Sequence, residues 1–149
     1  MFKVEILKKA DKKTLAEINR LTAQLSLSAT PPAPMTLGDL KKMLAQKDFY
    51  QLVIRSKGEI VAGLNVYMTR IPTGLIAEAE DLVVDEPYRM WGLGRILMEK
   101  AIELSKKHKA KHISHRTNPK RIDANKLYQA MGFKQMETNF YRINLNYDV

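Results

Sequence analysis

One stretch limits this chain more than any other: an apolar run that breaks at an acidic turn, passes through glycines and restarts as a helix. Leu82, Val83 and Val84 are followed by Asp85, Glu86 and Pro87, then by Arg89, Met90, Trp91, Gly92, Leu93 and Gly94. Beyond the glycines, Leu93, Ile96, Leu97, Ala101 and Leu104 recur at helical spacing. Arg95, Glu99, Glu103, Lys106 and Lys107 fall on the opposite face. A strand that turns into a helix through glycines presents unpaired N–H groups at the positive end of a helix dipole, an arrangement that suits an anion. Two familiar phosphate loops do not fit. No Lys-Ser/Thr pair follows the glycines, and the third glycine of the dinucleotide fingerprint is Leu97.

The 149 residues suit one domain spanning 1–149, with enough length for a core. Apolar content of 45% and charged content of 28% are ordinary for a soluble protein, and no run approaches a membrane span. The first five residues alternate apolar and charged, unlike a signal or transit peptide. With no cysteine there are no disulfides, thiolate metal sites or cysteine nucleophile; this does not fix the compartment, and the cytoplasm is the default expectation. The net charge of +9 raises nucleic acid, an anionic membrane surface or a polyanionic small ligand as partners. Residues 106–126 hold eight basic side chains against one acid, yet aromatics are sparse there and no nucleic-acid motif is present. No specific nucleic acid and no membrane partner are therefore expected.

Taken in order, residues 2–7 read as a strand, with Phe2, Val4 and Ile6 on one face. Asp11 is an N-cap for a helix whose stripe is Leu15, Ile18, Leu21 and Leu25. Residues 26–35 contain Pro31, Pro32 and Pro34 and form a loop, either a connector or a wall over a substrate. Thr36 and Asp39 make a capping-box variant for a short second helix. Residues 49–55 and 59–69 form a hairpin about Ser56, Lys57 and Gly58, and a strand over 75–84 leads into the glycine loop. After the helix come a strand over 112–116, a helix over 123–131 stopped by Gly132, and a closing hairpin over 133–138 and 140–145. This order gives an α+β fold: one mixed sheet, helices on both faces, and a right-handed parallel crossover from 75 to 116.

A second motif bears on the first. Asp123, Ala124, Asn125, Lys126, Leu127, Tyr128, Gln129, Ala130, Met131, Gly132 and Phe133 end a helix in Leu-Tyr-x-x-x-Gly-Phe. Together with Arg-x-x-Gly-x-Gly and the element order, this resembles the GNAT N-acetyltransferase superfamily over essentially the whole chain. The stretch Glu80 to Val84 is similar to that of glucosamine-phosphate N-acetyltransferases. The resemblance implies a mostly antiparallel sheet with one parallel crossover, and acetyl-CoA as co-substrate with no metal. It implies that the backbone of Leu82, Val83 and Val84 pairs with the pantetheine arm and that the loop Arg89, Met90, Trp91, Gly92, Leu93, Gly94, Arg95 binds the pyrophosphate. It further implies Tyr128 as proton donor to the departing thiolate. Asn125 shares a helix face with Tyr128. Arg121 stands where the family commonly has asparagine, so either Arg121 or Asn125 makes the CoA contact. Met90 and Trp91 replace small or basic residues, of little consequence if backbone N–H groups bind.

An amine must lose a proton before it attacks a thioester, and a carboxylate can take it. Alternation places Glu78, Glu80, Leu82 and Val84 on one strand face, with Asp81 opposite unless a bulge intervenes. Glu80 is the first candidate base and Glu78 the second, with solvent as the alternative. His115 reads as a core histidine. The acids Glu78, Glu80 and Asp81 suit a small cationic amine as acceptor; a protein lysine or N-terminus, a basic nucleic-acid-binding module and a non-catalytic CoA-binding module are the alternatives. A monomer or homodimer is expected.

Overall fold

The computed structural model describes residues 1–25, 32–145 and 147. They divide into two compact units, Met1–Arg116 and Thr117–Val149. The first holds a five-stranded sheet in sequence order, β1 (Val4–Ile6), β2 (Phe49–Ser56), β3 (Glu59–Ile71), β4 (Gly74–Val84) and β5 (Ile113–His115). The first four strands pair antiparallel, and β4 pairs with β5 in parallel. Lys57 and Gly58 both take positive φ in the β2–β3 turn. That is the backbone of a primed hairpin turn, whose twist matches that of its strands.

The helices of this unit are α1 (Lys12–Thr22), α2 (Leu37–Leu44) and α3 (Leu93–Lys107), with 3₁₀ turns at Ala23–Leu25 and Glu86–Tyr88. Their starts follow from local chemistry. Asp11 accepts from the Thr14 N–H at 2.8 Å, and Thr36 and Asp39 form a reciprocal capping box. Leu52, Val53 and Ile54 are all buried, so β2 is covered on both faces. Ile18 and Leu21 of α1 pack with Val53 and Ile60 on one face. The other is left to α3, whose Leu93, Leu97, Met98, Ala101 and Leu104 are buried. The buried Glu17 carboxylate is used rather than wasted. It accepts the Ile60 N–H at 2.9 Å and pairs with Arg55 at 3.5 Å.

The second unit contains α4 (Ile122–Ala130). Its approach is a turn in which Asn118 accepts from Lys120 and Arg121, and Phe133 N–H returns to the Tyr128 carbonyl at 2.9 Å. The hairpin expected over 133–145 is not formed: none of those residues is in a strand. Met136, Phe140, Tyr141, Ile143 and Leu145 are exposed. Alternating side chains make a strand only when a neighbour completes the ladder and covers one face. A lone two-stranded hairpin is marginal in water. Of the proline loop, residues 26–31 lie outside the described residues, and 32–36 are irregular.

Candidate active site

The pairing of β4 with β3 is irregular. Asn65 lies opposite Glu80 and Gly63 opposite Val83, so Asp81 and Leu82 together face Leu64 alone. This is a β-bulge, and Asp81 takes φ 56° within it. The bulge corrects the simple alternation. Glu78 and Glu80 share a face with Tyr67 and Asn65, but beyond the bulge Val83, not Leu82, continues that face and packs toward the α1 core. On its other edge β4 pairs with β5 only at Ala77, Glu78 and Ala79. From Glu80 to Val84 no described strand lies along that edge.

The segment then enters α3 through Gly92, an N-cap at φ 82° with no side-chain cap. A Cβ built there would meet nothing within 4 Å, so no described atom crowds Gly92 on that side. Met90 also has positive φ and is exposed. The Trp91 ring packs edgewise on Phe2 and Tyr88 at 5.9 and 5.8 Å. The Arg89 guanidinium turns back: Nε donates to the Val84 carbonyl at 3.0 Å and another nitrogen to Gln24 Oε1 at 3.1 Å. Arg20 and Gln24 in turn donate to Asp85 at 2.7 and 2.9 Å. Burial pushes the Asp85 carboxyl up, but these two bonds and the Arg20 charge outweigh it and hold the pKa below its ordinary value. This network fastens the loop after β4 to α1 and the turn behind it. Sequence reasoning missed it, because nothing in Arg20 or Gln24 names a partner more than sixty residues away. Arg95 pairs with Glu99 at 3.5 Å on the helix surface.

The two candidate bases share one cation. Arg116 stands 3.5 Å from Glu78 and 3.7 Å from Glu80, and Tyr67 donates to Glu78 at 2.7 Å. Burial and that bond to a carboxylate push the Tyr67 hydroxyl up to about 12. His115 Nδ1 is 2.8 Å from the Ala79 carbonyl, so the proton sits on Nδ1. Burial lowers its pKa and keeps the ring neutral, in keeping with a structural histidine.

Beside the bulge, on the α1 and α2 side of the sheet, is a cavity of about 180 Å³. Ile18, Met35, Met43, Asn65, Asp81 and Val83 contribute to its wall. Asn19 exchanges two hydrogen bonds with the Met35 backbone, at 3.0 and 2.9 Å, and so ties the end of the proline segment to α1.

In the second unit, Tyr128 is buried and its ring meets Phe133 edge-on at 5.9 Å. Burial pushes its hydroxyl up to about 12, against a smaller opposing effect of Arg121. Asn125 Nδ2 donates to the carbonyls of Asn118 and Arg121 at 3.1 and 2.8 Å, so this amide holds the turn before α4. Arg121 is the N-cap residue of that helix.

Among the described residues, β4 thus runs beyond its pairing with β5, through a bulge, into a helix N-terminus that has no side-chain cap. The chain belongs to the acetyltransferase (GNAT) family, whose model matches residues 15–133, and it is an acetyl-CoA-dependent acetyltransferase. Solved structures share the fold. An aminoglycoside acetyltransferase, meta-AAC0020, from an uncultured soil metagenomic sample in complex with trehalose is 21% identical, with 97% of each chain covered and a TM-score of 0.82. AAC(6')-Iy, in complex with the bisubstrate analogue CoA-S-monomethyl-acetylneamine, is 16% identical over 97% of this chain and 99% of that one, with a TM-score of 0.76. Glucosamine-6-phosphate N-acetyltransferase from Arabidopsis thaliana is 17% identical over 96% of this chain and 98% of that one, with a TM-score of 0.75. No curated protein matches the chain in sequence. None of the helices among the described residues is long and apolar enough to cross a membrane.

Proposed function

We propose that this protein, acting in the cytoplasm as a single catalytic domain, transfers the acetyl group of acetyl-CoA to the primary amine of a small cationic acceptor by direct attack. The observation that carries this reading is the β4 edge, which has no partner strand after Ala79 among the described residues and leads into an α3 N-terminus with no side-chain cap. Its residues fit acetyl-CoA. The backbone of Leu82, Val83 and Val84 supplies hydrogen bonds for the pantetheine amides, as an added strand would. The first-turn N–H groups around Gly92, Leu93, Gly94 and Arg95 take the diphosphate, with Met90 and Trp91 in the same loop. Arg89 keeps that loop in place through Val84 and Gln24 rather than by touching phosphate. From the second unit, either Arg121 or Asn125 makes the CoA contact; the Asn125 NH₂ also holds the turn before α4.

In the transfer, the amine nitrogen attacks the thioester carbon and the carbon–sulfur bond breaks. Before the attack the ammonium gives one proton to Glu80, to Glu78 or to solvent; the nitrogen's second proton goes to solvent as the amide forms, and sulfur leaves as thiolate. A hydroxyl at about 12 gives its proton to a thiolate only uphill, because a thiol's ordinary value is about 8.5. Tyr128 therefore stabilises the departing sulfur by a hydrogen bond, and solvent completes the protonation. The cavity beside the bulge favours a small acceptor over a peptide segment.

Thiol release from acetyl-CoA across a panel of amines and peptides tests this function. Turnover with amines, together with CoA binding by calorimetry, is the expected result. Absence of CoA binding would overturn it.

A further inference from the structure

We propose that the cavity beside the β4 bulge is the acceptor pocket and that it selects a compact amine with an apolar body, read by Asn65. This rests on the acetyl-transfer reading above and adds the class of amine. The cavity measures about 180 Å³, room for a small molecule only. Ile18, Leu21, Leu25, Met35, Met43 and Val83 line it, and no lysine or arginine stands among its described lining. A phosphorylated sugar would find no cation there, and a polyol would leave its hydroxyls against methyl and thioether groups.

The polar groups of the lining are largely spent. Asn19 is bonded to the Met35 backbone, the Thr22 hydroxyl donates to the Ile18 carbonyl at 2.7 Å, and Gln51 Nε2 reaches the Leu52 carbonyl at 3.3 Å. Asn65 differs. Its Oδ1 is buried with no hydrogen-bond partner. Folding leaves such an acceptor unmet only at a cost, and a ligand N–H completes it. Position explains the use. Asn65 lies directly opposite Glu80 and beside the bulge, so a nitrogen held at its Oδ1 is close to the candidate base and to the β4 edge. Asp81, the one ionisable residue in the described lining, is an acid and favours a cation. An amine therefore enters head-first toward Asn65 with its apolar body against α1 and α2.

The test is binding before turnover. Isoamylamine and phenethylamine are titrated calorimetrically into the full chain with CoA present, against glucosamine phosphate and spermidine. The apolar amines should bind at least about tenfold more tightly, and Asn65→Leu should weaken them at least about tenfold with CoA affinity unchanged. Met43→Trp, which fills the cavity from a half-buried position while leaving Asn65 intact, should weaken them likewise. Tighter binding of the phosphosugar or polyamine, or unchanged binding in both variants, overturns the pocket. The two readings fail separately. Asn65-dependent binding without thiol release sinks acetyl transfer and leaves the pocket standing. Thiol release with other amines, indifferent to Asn65→Leu, does the reverse.

Discussion

Replacing Gly92 separates two things that the glycine does. At φ 82° an L-residue is strained, and a left-handed backbone costs roughly 1–2 kcal/mol. Space adds nothing, since a Cβ there meets nothing within 4 Å. Gly92→Ala and Gly92→Glu should therefore lose the same stability, a drop in melting temperature of about 2–8 °C for a domain of this size. Binding should split them. The alanine keeps the first-turn N–H groups available, whereas the glutamate sends a carboxylate into the space the diphosphate requires. A hydrogen bond to a charged group contributes roughly 1.5–3 kcal/mol. Loss of one bond weakens CoA roughly tenfold or more, and loss of two roughly a hundredfold to beyond ten-thousandfold. Calorimetry with CoA, and with pantetheine as a control lacking the diphosphate, reads this directly. Gly92→Glu should lose CoA and keep pantetheine. Equal CoA affinity in the glutamate variant and the wild type would refute the placement of the diphosphate. Equal losses in both variants would attribute the effect to strain instead.

Tyr128→Phe removes one hydrogen bond to the departing sulfur, roughly 1.5–3 kcal/mol, so it should lower kcat by about tenfold to a hundredfold and leave acetyl-CoA affinity nearly unchanged. Full turnover with chemistry rate-limiting would remove Tyr128 from the mechanism. With its hydroxyl at about 12, no alkaline limb below about pH 11 should depend on Tyr128, and a pH–rate profile of the phenylalanine variant checks this. Glu80→Gln should recover activity as pH rises toward the amine's own pKa if Glu80 is the base. A raised KM with an unchanged profile would make it an attractor only. His115 has a depressed pKa, so its neutral form is favoured in the fold. The unfolded chain gains that proton first as pH falls below about 6.5, and stability should decline there until the folded ring also protonates. His115→Asn, which retains an N–H for the Ala79 carbonyl, should flatten that part of the profile in thermal melts.

What the sequence discloses is what its neighbours along the chain decide. Asp11, Thr36 and Asp39 cap helices through bonds spanning three residues, so the caps could be read directly. The stripe from Leu93 to Leu104 reports the buried face of α3 for the same reason. Long-range pairing escapes this logic. The Arg20–Asp85–Gln24–Arg89 network joins elements that only the folded sheet brings together. The unmet oxygen of Asn65 exists only because β3 places it inside a cavity. Residues 133–145 fail in the opposite sense. Their alternation is genuine, but a pattern of side chains does not supply the neighbouring strand that would use it.

The bulge at Asp81 and Leu82 has the largest consequence of these unreadable features. Without it, Glu80 and Leu82 would share a face, and Val83 would turn away from the α1 core. One extra residue reverses that parity, so the strand offers a carboxylate before the bulge and an apolar wall after it on the same face as Asn65. The ladder is also interrupted there, next to the β4 edge that β5 leaves uncovered. On the proposed function, backbone groups for an acyl donor and side chains for an amine acceptor would converge over a few residues of a single strand. A substitution that restored regular pairing would disturb both at once while adding hydrogen bonds to the sheet. On that proposal the bulge is a place where this fold gives up ladder stability for chemistry.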